Sequence, residues 1–179
     1  MHSASDLQAL CGRLDRRELS RIEFIEQCTR AMVEAVNCSR AGVWIFDGTG
    51  EARVLRCLGI YDRNADCMSA VPDERQRQVG AYFEALEHTG HVMAVDALTH
   101  PATSGLFDKQ DNINDVRSLL AAAFSINGHL FGAFTCTQAH RTMNWTPTQL
   151  TTLKRIGARA SLALAGATQT NPITLPMPL

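Results

Sequence analysis

Two apolar runs on either side of Asn127-Gly128, Val116 to Ile126 and His129 to Gln138, constrain this chain's fold more than any other feature. Asn-Gly is the strongest short hairpin signal, because both central residues of a type I′ turn need positive φ and these two tolerate it. Two long strands joined in this way commit the chain to an antiparallel sheet. Strands so rich in apolar residues must be covered, so the rest of the chain has to supply helices or a second sheet.

The remaining patterns supply helices. Ser5 with Gln8 makes a capping-box pattern, and Leu7, Leu10, Cys11 and Leu14 follow at helical spacing. After a polar break at Asp15 to Glu18, Ser20 and Glu23 repeat the box. Ile25, Cys28, Met32, Ala35 and Val36 then line one face of a second helix, which Asn37 ends. Ala41 to Asp47 reads as a buried strand, Asp47-Gly48-Thr49-Gly50 as a turn and Glu51 to Tyr61 as its return. Residues 62–72 read as loop. A helix is expected from Asp73, with Val79, Tyr82, Phe83 and Leu86 inward, stopped at His88-Thr89-Gly90. A short strand, His91 to Val95, precedes a long connection from Asp96 to Asp115, with one helical turn near Leu106 and Phe107. Connections of that length in a compact domain are often functional. Thr146, Pro147 and Gln149 open a last helix whose face is Leu150, Leu153, Ile156, Gly157, Ala160 and Leu164. The order predicts an α+β domain: a central antiparallel sheet of five to six strands with helices packed on its faces. Its expected limits are 20–167, with an N-terminal helix in 1–19 and a flexible, proline-bearing tail in 168–179.

Charge and composition exclude some classes of function. With 17 basic and 18 acidic residues the net charge is −1, which gives no general attraction to nucleic acid or anionic lipid. No run of 18 apolar residues offers a membrane span, and Met1 to Leu10 lacks the layout of a secretion signal. The six cysteines contain no C-x-x-C pair and sit within apolar patterns, as reduced, buried thiols do in a reducing cytoplasm. A cytoplasmic location is therefore expected.

Several stretches resemble the GAF domain family. Val116-Arg117-Ser118-Leu119-Leu120, leading into Asn127-Gly128-His129-Leu130-Phe131-Gly132-Ala133-Phe134, looks like the family's closing strands. Asn144-Trp145-Thr146-Pro147 is similar to the opening of its last helix. Leu58-Gly59-Ile60-Tyr61-Asp62, Tyr82-Phe83-Glu84-Ala85-Leu86 and Val95-Asp96-Ala97 look like a bacterial subgroup that precedes diguanylate cyclases, phosphodiesterases or histidine kinases. The resemblance covers about residues 20 to 166. It implies a regulatory domain that binds a small molecule between sheet and covering segments, dimerises through its first and last helices, and acts on a signalling enzyme in cis or in trans. Two positions depart from the subgroup. Leu120-Ala121-Ala122-Ala123 stands in place of Leu-Asp-Ala-Pro, and Cys136-Thr137-Gln138-Ala139 in place of Cys-His-Glu-His. Both changes remove polar groups and leave the identity of any cofactor or ligand open.

Catalytic chemistry is not expected. The family's free methionine sulfoxide reductase carries cysteines where this chain reads Asp111-Asn112-Ile113-Asn114-Asp115, so no thiolate and resolving thiol stand there. Covalent attachment of a bilin would use an accessible cysteine, commonly followed by histidine. No Cys-His pair occurs, and Cys67 is the one thiol expected to be accessible. His88 and His91 are read as a solvated helix end rather than metal ligands, because Gly90 breaks the helix between them. His100 is read as an exposed loop residue, and Asp108, Asp111 and Asp115 as turn formers. The expected pocket is walled by Tyr82, Phe83, Phe107 and Phe134, with Asp96, Arg117 and Ser118 as polar contacts. Arg117 has two readings: a planar fork for an anionic ligand, or half of a surface ion pair.

Overall fold

The hairpin closed by Gly128 (φ 78°) lies in a mixed layer of long and short strands. The computed structural model describes residues 4–48, 53–69, 74–107, 115–126 and 128–169. In chain order the elements are α1 (Ala4–Asp15), α2 (Arg21–Val36), β1 (Arg40–Asp47), β2 (Val54–Asp62), β3 (Cys67–Ser69), β4 (Glu74–Arg75), α3 (Gln76–Thr89), β5 (His91–Ala94), β6 (Val116–Ile126), β7 (His129–Ala139) and α4 (Pro147–Gln169). The strands form one antiparallel sheet in the order β3-β2-β1-β7-β6-β5, and the two-residue β4 also pairs with β2. This is the α+β architecture the sequence predicts.

The helix ends follow the capping chemistry. Ser20 Oγ accepts from the Glu23 amide at 3.2 Å while Glu23 accepts from the Ser20 amide at 2.8 Å. Asn37 closes α2 in the left-handed conformation, φ 57°. Thr146 and Gln149 make the same reciprocal pair at the start of α4, at 3.2 and 2.9 Å.

Some boundaries differ from the sequence reading. Ser5 lies inside α1 rather than ahead of it. Residues 67–69 are a strand rather than loop: Cys67, Met68 and Ser69 pair with Asp62, Tyr61 and Ile60. Asp62 holds the intervening turn by accepting from the amides of Asn64 and Ala65. The third helix follows β4 and begins at Gln76; Asp73 lies outside the described residues. α4 runs through Gln169, past the expected tail start, because no proline intervenes before Pro172; residues 170–179 are outside the described residues.

Each face of the sheet carries its own core. On the first, α2 and α4 cover Val43, Leu120, Ala122, Phe124, Phe134 and Cys136, and α1 packs against these two helices. Gln149 at the start of α4 donates to the carbonyl of Val36 at the end of α2 (2.8 Å), so these two helices run antiparallel. Burial of each large side chain here contributes about 1.5–3 kcal/mol. Desolvation pushes the Cys28 thiol up to about 12 and Cys136 well above the ordinary range, so these two are inert apolar filler. None of the six cysteines is in a disulfide, and Cys67 is exposed as expected.

Candidate functional site

Strand register decides which side chains can share a site. Directly opposed residues project to the same face. Val43 opposes Phe134, and Phe134 opposes Ala122; one step along, Trp44 opposes Ala133, and Ala133 opposes Ala123. The first set faces α2 and α4. The second faces α3 and the irregular segment 95–107, where Trp44, Phe46, Leu55, Tyr82, Phe83, Leu86, Leu119, Ala121, Ala133, Leu106 and Phe107 form a second cluster.

Of the expected pocket residues, Tyr82, Phe83 and Phe107 therefore share this second face, and Phe134 does not. Phe134 is fully buried on the helix side, with its ring centroid 4.8 Å from that of Phe124 and its edge against Gly157. Every residue of the stretch from Leu130 to Phe134 is apolar or glycine, so only the register separates the faces.

The floor of the second face is small and apolar. Ala121 and Ala133 sit beneath α3, and Trp44 lies half-buried beside them. The indole N–H of Trp44 donates to Thr135 Oγ1 at 3.0 Å, and that hydroxyl lies 3.4 Å from the Gly42 carbonyl it points to. A Cβ at Gly42 would stand 3.0 Å from Trp44 Nε1 and 3.1 Å from Thr135 Oγ1, so a residue without a side chain leaves room for the indole edge. Phe46 and Phe83 meet with ring centroids 4.2 Å apart and tilted planes. Trp44 and Phe46 were not among the expected pocket residues, because β1 is apolar on both faces and shows no period-2 alternation; Thr135 on β7 was not among them either.

The expected polar contacts are already engaged. Arg117 Nη2 lies 3.4 Å from Asp96 Oδ2 in a half-exposed ion pair, and its Nε has no hydrogen-bond partner among the described residues. Asp96 also accepts from the amide of Leu98, and the Arg117 carbonyl accepts from Ala97 N at 2.8 Å. Ser118 is buried and bridges backbone: its hydroxyl donates to the Val95 carbonyl and accepts from Met143 N at 2.7 Å. These three residues fasten the start of the 95–107 segment to β6. Arg53 closes the opposite margin, bonded to Glu87 at 2.7 Å with its guanidinium 5.1 Å from the Phe83 ring centre.

The histidines have local backbone partners. His88 Nδ1 contacts the Glu84 carbonyl and His91 Nδ1 the Thr89 carbonyl, each at 2.8 Å; His100 Nδ1 accepts from Ala102 N at 3.2 Å. Asp115 meets His140 at 3.4 Å, while Asp108 and Asp111 lie outside the described residues. Among the described residues no group of three His, Cys, Asp or Glu side chains is arranged to hold a metal.

A family model described as the GAF domain matches residues 20–164. The chain belongs to the GAF domain family. Solved structures agree on the fold. A methyl-accepting chemotaxis protein segment, residues 122 to 287, is 17% identical with a TM-score of 0.70, covering 92% of this chain and 99% of that one. The phycocyanobilin-bound GAF domain of a cyanobacterial phytochrome is 13% identical with a TM-score of 0.70, covering 92% and 97%. Free methionine-R-sulfoxide reductase from Neisseria meningitidis, in complex with its substrate, is 15% identical with a TM-score of 0.64, covering 96% and 100%. No curated protein matches the sequence. No described helix of this GAF domain is long and apolar enough to cross a membrane.

Proposed function

We propose that this GAF domain is a cytoplasmic sensor that binds a small molecule between the α3 side of its sheet and the 95–107 segment, does no chemistry of its own, and signals through α1, α2 and α4. The asymmetry of the two sheet faces carries the reading. Two helices, α2 and α4, with α1 packed on them, cover the first face, while one helix and an irregular segment cover the second, over a floor of alanines and a half-buried Trp44. Irregular segments order on binding more readily than packed helices do. The bilin-bound and substrate-bound GAF structures support small-molecule binding in this fold. Enzymatic chemistry finds no support in the sequence, since no cysteine stands between Asp108 and Asp115. A thermal-shift screen of the chain against cyclic nucleotides, nucleobases, anions, amino acids and neutral aromatic compounds tests the proposal. Binding to the native state raises the melting temperature by mass action, so a flat screen rejects it.

A second reading, an interaction module, is favoured by one observation. Ile22 on α2 and Leu162 on α4 are 77% and 76% exposed. Because the helices run antiparallel, both lie toward the same end of the helical layer. A homodimer through the terminal helices would cover them, with a signalling enzyme engaged in trans. Sedimentation of Ile22→Glu and Leu162→Glu variants tests this: an unchanged molecular mass for both removes the dimer.

A further inference from the structure

We infer that the outer face of α4 docks an acidic amphipathic helix of another protein. The inference rests on the reading of the helical layer as the output side, and it names the partner that side takes. All 18 acidic residues lie at or before Asp115, so α4 carries Lys154, Arg155 and Arg159 and no carboxylate. Thr151, Lys154, Arg155, Ala158, Arg159 and Leu162 are exposed, while Leu153, Gly157, Ala160 and Leu164 face inward and are buried. At about 100° and about 1.5 Å per residue, the six exposed positions form one strip about 16 Å long. Thr151, Ala158 and Leu162 run along its middle, with Lys154 on one margin and Arg159 on the other. Small and apolar side chains edged by charge are what a second helix packs against. α1 and α2 mix the two signs and pair them, Arg16 with Glu18 and Arg30 with Glu26. On α4, Lys154 and Arg155 have no ion-pair partner among the described residues.

Charge sorts the occupants of this strip. A second copy docked α4 on α4 would set cations against cations, which is destabilising where they oppose one another. The carboxylates of α2 offer a second copy little, since Glu23 caps its own helix and Glu26 pairs with Arg30. An anionic membrane holds a helix by burying a broad apolar face, and Leu162 is the only large apolar side chain exposed among the described residues of α4. A helix with carboxylates along both edges of an apolar stripe suits every part of the strip. Its stripe covers Ala158 and Leu162, and its carboxylates meet Lys154 and Arg155.

The test titrates the purified chain into a fluorescently labelled synthetic helix with leucine on one face and glutamate on the other, followed by anisotropy. The control peptide carries lysine in place of every glutamate. The glutamate peptide is expected to bind and the lysine peptide not to. Lys154→Gln with Arg155→Gln weakens binding about three- to tenfold, the worth of two exposed ion pairs. Leu162→Ser weakens it about tenfold through lost apolar contact. Arg141→Gln, which removes an exposed cation outside α4, leaves it unchanged. At about 1 M salt, where the Debye length is about 3 Å, binding to the wild type is lost. All these variants keep the wild-type melting temperature, which separates a lost contact from a lost fold. No binding of the glutamate peptide overturns the inference, as does equal binding of both peptides or binding indifferent to the α4 variants. Binding to phosphatidylserine vesicles but not to the peptide moves the face to membranes. A dimer in sedimentation that the Lys154→Gln, Arg155→Gln variant dissociates gives the face to a second copy; either outcome overturns the inference. If the thermal-shift screen yields a ligand and the peptide does not bind, the sensor reading stands and the docking face falls. If the peptide binds as described and the screen is flat, the sensor reading falls and α4 remains a docking surface.

Discussion

Substituting Gly157 by alanine sets two effects of opposite sign against each other, and the structure decides between them. In a helix interior the exchange gains about 0.8–1 kcal/mol of intrinsic propensity. Here a Cβ at position 157 would stand 2.8 Å from Phe134 Cδ2 and 3.3 Å from Cε2, well inside van der Waals contact. The ring cannot withdraw freely, since Phe134 is fully buried and packs on Phe124. Overpacking of this kind costs about 1–3 kcal/mol, so the net change is destabilising by about 1 kcal/mol. For a chain of this size that lowers the melting temperature by roughly 2–4 °C. In a Phe134→Leu background, where the aromatic edge is gone, the same exchange becomes neutral or stabilising by up to about 1 kcal/mol. Urea denaturation of the four proteins of the cycle should then return a coupling of about 1–2 kcal/mol between positions 134 and 157. If Gly157→Ala stabilises the wild type by its full propensity gain, the ring does not lie under α4, and the assignment of Phe134 to the helix face is wrong.

Three further predictions follow from individual contacts. Ser118→Ala strands the Met143 amide and the Val95 carbonyl and should cost about 2 kcal/mol by urea denaturation. Arg117→Ala opens only a half-exposed ion pair and should change stability by less than about 1 kcal/mol, measured in the same way. For Asp62, burial acts to raise the carboxyl, and the hydrogen bond from Arg40 together with the Asn64 and Ala65 amides outweighs it, holding the pKa below the usual aspartate value. A depressed folded-state pKa stabilises above the unfolded value of about 3.9 and is lost as pH falls through the folded one. The urea midpoint should therefore drop below about pH 4, and Asp62→Asn should flatten part of that drop.

Elements bounded by local chemistry were legible in the sequence. Ser20 with Glu23, Thr146 with Gln149, Asn37 and Gly128 each act within a turn of their own position, and each appears where the sequence places it. What depends on distant pairing was not legible. β3 is three residues long and exists through its pairing with β2. Phe134 was assigned to the wrong face because strands buried on both sides lack alternation, and the register with Val43 and Ala122 is a tertiary fact. The same blindness hid Trp44 and Phe46. Ser118 and Asp96 stand out in the sequence as polar groups in apolar surroundings, but their partners, Met143, Val95 and Arg117, are tertiary facts.

The domain has two tryptophans, one on each side of the question: Trp44 on the α3 face and Trp145 in the core beneath the terminal helices. Titrating whichever compound raises the melting temperature into the Trp145→Phe and Trp44→Phe variants, and following the fluorescence of the tryptophan that remains, locates the face that binds it. A saturable change from Trp44, with Trp145 nearly silent, is the predicted result. A melting-temperature rise accompanied by a saturable change from Trp145 alone would contradict it, and would move the ligand from the α3 face to the helical layer.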